Sequence, residues 1–219
     1  MLSTAENIIK KTEAFVRAKL EGESTGHDWW HLHRVRALSL RLAREEGGCD
    51  LEVVELAALL HDVDDWKFSG DEKAAGRAAR EWLASIGTDA ATADHVGEIA
   101  DSVSFKGSGV ATPMRTKEGM IVQDADRLDA LGAVGIARAF AYGGSKGRQI
   151  HNPEIEPQVH ASFEAYKKSV GTTVNHFYEK LLLLKDRMNT ASARRLAAER
   201  HAFMEQYLDR LLKEWDGRD

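Results

Sequence analysis

Apolar residues recur along this chain at the three- and four-residue spacing of helices that lie on a core, and no stretch alternates strictly enough to be a strand. Ser3-x-x-Glu6 has the form of a capping box, and Ile8, Ile9, Phe15, Val16 and Leu20 follow as a stripe, so a first helix is expected there. A second, from about Trp29 to Glu46, stops at Gly47-Gly48, where glycine accepts the positive φ of a helix end. Asp50 can cap a third that runs to about Asp64, with Val53, Leu56, Ala57, Leu60 and Val63 on its inward face. Asp71 to Ile86 and Asp89 to Val103 read as two further helices, and Ser102 to Thr112 as a glycine-containing loop. Glu118 to Tyr142 is apolar on several sides and reads as one central helix. Two helices are expected after it, about 161–184 and 191–215, the latter with Leu196, Phe203, Met204, Tyr207, Leu208, Leu211 and Trp215 as its stripe.

Composition sharpens this into an all-α, compact single-domain fold. Only three prolines interrupt 219 residues, and Ala, Leu, Glu, Lys and Arg fill the segments between short glycine breaks. One domain is expected over residues 1–219, with a core at about 25–142 and C-terminal helices at 161–215. Between them, residues 143–157 hold Gly143, Gly144, Gly147, Pro153 and Pro157 and read as a lid loop. The lone Cys49 forms no intrachain disulfide, the first residues do not have the form of a secretory leader, and no run approaches a membrane span, so a cytoplasmic location away from membranes is expected. A net charge of −5 argues against long nucleic acid as a partner and leaves small nucleotides open. The apolar stripe of the last helix suits a monomer's core or a homodimer's interface equally.

Candidate chemistry centres on His61-Asp62, an imidazole beside a carboxylate, which suits a divalent cation. With nine His and 16 Asp, about 0.7 such dipeptides arise by chance, and the chain has a second at His27-Asp28, so context must decide. That context includes Asp124, Asp126 and Asp129 in an apolar stretch, where carboxylates are costly unless paired or bound to metal.

Three segments in order, His27-Asp28-Trp29-Trp30-His31-Leu32-His33-Arg34-Val35, Leu56 to Lys67 around His61-Asp62, and Val122 to Asp129 around Ala125-Asp126-Arg127-Leu128, resemble the HD-domain phosphohydrolases, and more closely their small stand-alone bacterial branch. The resemblance covers nearly the whole chain. It implies an all-helical fold that holds one divalent metal, Mn(II) foremost with Ni, Fe, Mg, Co or Zn as alternatives, through His31, His61, Asp62 and Asp126. His31 fits the family's phase before Arg34-Val35. On a helix, His31 and Arg34 share a face, whereas His33 lies about 200° round from His31. Asp124 and Asp129 are expected to support the ligands from behind.

The same resemblance implies hydrolysis of a small phosphorylated substrate, foremost a nucleotide cleaved as by a pyrophosphohydrolase. A metal ion lowers the pKa of a bound water and neutralises charge on phosphorus, with Asp62 as ligand at the reacting centre. Asp65 is the expected general base, with Asp64 as the open alternative, and Lys67 directly follows the motif. Phosphate donors are expected first at Lys67 and Arg127, second at Lys146 and Arg148, with Lys185 also available and His176 and Lys180 third, while His27 is a candidate substrate contact or helix cap. Trp29, Trp30 and Trp66 suit core packing better than base stacking. Cys49 has no neighbouring base and no P-loop occurs, so covalent acyl chemistry and P-loop phosphoryl transfer lack their parts. A 5′-nucleotidase or cyclic-nucleotide phosphodiesterase would use the same centre. A metal-dependent nucleotide sensor without significant turnover is the alternative of another class.

Overall fold

The computed structural model describes residues 3–22, 28–63, 74–104, 110–158 and 171–218. His27, Asp64, Asp65, Trp66 and Lys67 lie outside the described residues. The fold is all-α, with no strand among the described residues, and no described helix is long and apolar enough to cross a membrane. By internal contacts the chain divides into two compact units, Met1–Phe105 with Thr112–Asp126, and Lys106–Ala111 with Arg127–Asp219.

The first unit is built from α1 (Thr4–Lys19), α2 (Trp29–Glu46), α3 (Leu51–Leu60), α4 (Ala74–Ser85), α5 (Ala90–Val103) and the first ten residues of α6 (Lys117–Asp129). Its helix starts follow their local chemistry. The Ser3 hydroxyl accepts from Glu6 N–H at 3.2 Å while Glu6 accepts from Ser3 N–H at 2.8 Å, closing the capping box. Asp28 caps α2 through His31 N–H, and Asp50 caps α3 through the N–H groups of Glu52 and Val53. α2 stops at Gly47 and Gly48, both at positive φ.

α3 is the middle of this unit. It packs on α1, α2 and α5, and Val53, Val54 and every residue from Leu56 to Leu60 are buried, so the helix is enclosed on more sides than the single inward face expected from its sequence. Arg36 ties three helices together by donating to Glu13 of α1 at 2.9 Å and to Glu55 of α3 at 2.7 Å. Phe15 stacks on Trp82 at 4.0 Å, and the Trp82 indole donates to the buried Thr12 hydroxyl. α4 and α5 approach closely at Gly76, whose N–H donates to the Asp101 carboxylate at 3.1 Å while Arg80 donates to the same carboxylate at 3.2 Å.

The second unit contains the end of α6, then α7 (Gly132–Ser145), α8 (Thr173–Glu179), a 3-10 segment (Leu181–Arg187) and α9 (Ala191–Trp215). Two expectations are corrected here. Glu118 to Tyr142 is not one helix, because Gly132 takes φ +71° and restarts the chain as α7, with the buried Asp129 carboxylate bound by Arg138 at 2.9 Å. Nor is 161–184 a continuous helix across its described part, because Thr172 caps a new start at α8 and the chain tightens to 3-10 at Leu181. α7 also continues to Ser145, three residues past the expected helix end at Tyr142. α9 buries Ala193, Ala197, His201, Met204 and Leu208, whereas Phe203 and Trp215, expected in its stripe, are each 47% exposed.

A Cβ at Gly76 would stand 2.2 Å from the Asp101 carboxylate, whereas one at Gly144 meets nothing within 4 Å. Gly76→Ala is therefore expected to destabilise the fold by about 1–3 kcal/mol. Gly144→Ala is expected to be neutral or slightly stabilising by up to about 1 kcal/mol. Urea unfolding of the two variants beside the parent checks both, and equal midpoints would show that the α4–α5 approach is not tight.

Candidate metal centre

Three elements of the first unit deliver the candidate ligands. His31 is the third residue of α2 and fully buried. His61 closes the C-terminus of α3, with Asp62 beside it, and Asp126 lies in the last turn of α6. His31 Nε2 stands 3.5 Å from Asp62 Oδ2 and 3.4 Å from Asp126 Oδ1, and His61 Nε2 stands 3.8 Å from the same Asp126 oxygen. Ligand atoms of His31, His61 and Asp62 all lie within 4.8 Å of one another, and the two imidazoles face edge to plane at 5.5 Å.

These separations exceed a hydrogen bond but match ligands around one ion. Atoms about 2.1 Å from a metal stand about 3 Å apart when adjacent and about 4.2 Å apart when opposite. The Nε2 atoms of both rings are buried and face carboxylate oxygens. On the other side of its ring, His61 Nδ1 lies 3.0 Å from the Ala58 carbonyl, which can only accept. Nδ1 therefore carries a proton, which leaves Nε2, on the carboxylate side, as the nitrogen that holds either a second proton or a metal in its place. Two imidazoles and two carboxylates suit a divalent ion of intermediate softness. The residues present fit the metal.

The electrostatics agree. Burial opposes a charged His61, but the Asp126 carboxylate, the Asp62 charge and the Ala58 carbonyl outweigh it and raise the ring to about 9. Asp126 responds oppositely: burial would raise it, yet His61 and His31 hold its carboxyl well below the usual carboxylate range. Two carboxylates in a closed site recruit positive charge, from a proton or from a cation.

The remaining expected residues fall in several places. His33, one turn face away from His31, is exposed and lies edge-on to Trp30. Trp29 is buried under the Arg17 guanidinium, 4.2 Å from the ring centroid, and Trp30 is 59% exposed. Asp124 is fully buried, and Asp129 is engaged by Arg138. In the second unit, Arg127 is buried and donates to the Arg187 carbonyl. Lys146 and Arg148 stand by the Tyr142 ring at 5.6 and 5.8 Å, His176 and Lys180 lie on α8 and at its end, and Lys185 sits half-buried on the 3-10 segment. Sequence reasoning passed over the Ala58 carbonyl, although its place three residues before His61 on a helix is a visible signal. It also passed over Tyr142, four residues before Lys146 on the same helical face.

Helices that bring two imidazoles and the buried Asp62 together, with the half-buried Asp126 beside them, define the class: an all-helical fold with residues that suit a divalent metal. The chain belongs to the HD-domain family, whose profile matches residues 29–131. It is 41% identical to the uncharacterized protein YpgQ of Bacillus subtilis (strain 168) over 219 residues, all of this chain and 97% of that one. Among solved structures it resembles a Lactobacillus plantarum protein at 37% identity and TM-score 0.85, over 99% of this chain and 100% of that one. An HD-superfamily hydrolase from Bacillus thuringiensis matches at 42% identity and TM-score 0.75, over 97% and 99%. The B. subtilis YpgQ structure in complex with ADP matches at 37% identity and TM-score 0.75, over 96% and 100%.

Two expectations arise from this geometry. The native protein should bind about one equivalent of Mn(II) per chain, and Asp62→Ala with His61→Ala should retain less than about a tenth of it after desalting, read by elemental analysis. His176 is pushed down to about 3 by burial and by the positive charges of Lys180 and Arg148. Its folded pKa lies below the unfolded value of 6.5, so between those values the unfolded chain binds more protons. The stability that neutral His176 contributes is complete above pH 6.5 and is lost as pH falls toward 3. Urea unfolding at pH 7 and pH 4.5 should show a smaller loss for His176→Gln than for the parent, and parallel losses would contradict this.

Proposed function

We propose that the protein is a metal-dependent phosphohydrolase that cleaves nucleotides in the manner of a pyrophosphohydrolase. The observation that carries this reading is the gathering of His31, His61 and Asp62 at ligand spacing in a buried place, with the half-buried Asp126 carboxylate 3.4 and 3.8 Å from the two imidazoles. Its family supports hydrolysis, and the structure of its B. subtilis relative with ADP supports a nucleotide as the substrate class. A divalent ion, Mn(II) foremost, would supply Lewis-acid activation of a water and neutralise charge at phosphorus. With the ion in place of the Nε2 proton, His61 would offer that nitrogen as a ligand while the Ala58 carbonyl holds the other proton on Nδ1. Asp62 and Asp126 bring negative charge that fixes the cation, and Asp65, with Asp64 as the alternative, takes the proton from water. Lys67 and His27 contact the substrate in this reading, as do Arg127, Lys146, Arg148, His176, Lys180 and Lys185 through its phosphates. No covalent enzyme intermediate is needed.

Product analysis tests the proposal. Metal-stripped protein is incubated with nucleoside mono-, di- and triphosphates and cyclic nucleotides, with and without Mn(II), beside the double variant His61→Ala/Asp62→Ala. Pyrophosphate or orthophosphate release from a di- or triphosphate should require the metal and fall at least about a hundredfold in the double variant. Orthophosphate from monophosphates alone would replace the pyrophosphohydrolase reading with a nucleotidase. Nucleotide that stays intact throughout would leave binding without turnover and sink the hydrolase reading.

A further inference from the structure

The three helices that carry the candidate ligands are joined a second time, at their far ends. α3 and α6 run the same way, since Asp50 and Glu118 meet at their starts and His61 and Asp126 meet near their ends. α2 runs the opposite way, bringing His31 to the ligands from its first turn and Glu46, its last residue, to the far end. There the first two residues of α6 hold both neighbours. Lys117 Nζ donates to the Glu46 carbonyl at 3.0 Å, and the half-buried Glu118 carboxylate accepts the Asp50 N–H at 2.9 Å. In α1 the capping box closes on its own Glu6, but the corresponding residue of α3 is Val53, which has no acceptor to reach back with. Glu118 supplies that acceptor from another helix. The start of α6 is itself fixed, for the Thr116 hydroxyl accepts from Gly119 N–H at 3.2 Å and lies 3.0 Å from Nε2 of His95 on α5. All of these residues belong to the first unit.

We propose that Lys117 and Glu118 are positioning residues for the metal centre, setting the axial register of α2 and α3 against α6. The pair matches the needs of two helix ends: an orphan carbonyl at the end of α2 takes a cation, and an orphan N–H at the start of α3 takes an anion. A helix carries an axial displacement from one end to the other, because its hydrogen-bond ladder fixes the rise. At about 1.5 Å per residue, the tie lies about 16 Å from His61 along α3 and about 12 Å from Asp126 along α6. Metal bonds tolerate about 0.2 Å of error, so a small slip at the tie would part His61 from Asp126 by more than a shared ion accepts. The proposal rests on the metal-centre reading and adds residues that hold its geometry without touching it.

Mn(II) binding to the full chain, read by electron paramagnetic resonance, tests this beside the ring NMR signals of His31 and His61 in metal-free protein, assigned by His31→Gln and His61→Gln. Glu118→Ala should weaken Mn(II) binding about fivefold and move both ring signals. Glu118→Gln keeps an oxygen for the Asp50 N–H and should restore both. Lys117→Met should act as Glu118→Ala does, and it decides the matter where Glu118→Ala fails to fold. Gly76→Ala loosens the same unit without touching the tie, so it should leave the ring signals and the affinity at parent values. Parent affinity with unmoved rings in both Glu118→Ala and Lys117→Met, or equal effects from Gly76→Ala, overturns the proposal. A parent chain that takes up no Mn(II) would sink the metal reading instead, and the ring signals alone would then decide the register.

Discussion

Everything in the first unit depends on keeping the buried His31, His61 and Asp62 together beside the half-buried Asp126 carboxylate. Isolated, each Asp would carry a desolvation cost of several kcal/mol, and the pair would add mutual repulsion. The cluster persists only if positive charge sits among the oxygens. A protonated His61, its pKa raised by Asp126 and Asp62, answers part of that need, and a divalent ion in the proton's place would answer it more fully because it brings two charges. The observed spacings, 3.4 to 3.8 Å between nitrogens and oxygens, leave room for an ion where direct hydrogen bonds would have drawn the atoms closer.

The helices are placed to serve that requirement. His61 sits at the C-terminus of α3, and Asp126 lies in the last turn of α6, so two helix ends present the negative pole of their dipoles near the cation position. α3 can end there only because it is buried along its length, which requires α1, α2 and α5 around it and Arg36 to satisfy Glu13 and Glu55 where they meet. α2 contributes His31 from its first turn, one residue position that the Asp28 cap holds by accepting the His31 N–H itself. The cap and the ligand are thus the same residue pair, and loosening the helix start would displace the metal ligand directly.

Local chemistry explains why much of this was legible. Ser3, Asp50 and the Gly47-Gly48 stop act within three or four residues, so the helix ends they fix are visible in the sequence. That His31, His61 and Asp62 come together was visible through the order of the motifs, since buried charge tolerates few residue types. What was hidden depends on partners distant in sequence or on backbone conformation. The break at Gly132 sits inside an uninterrupted apolar run, and the charge that makes Asp129 acceptable in a buried place comes from Arg138, two turns on. The stripe of α9 held at Met204 and Leu208, which are buried, but toward the helix start the buried face is carried by Ala193, Ala197 and His201, small or polar residues that allow close packing, while the large Phe203 and Trp215 face outward.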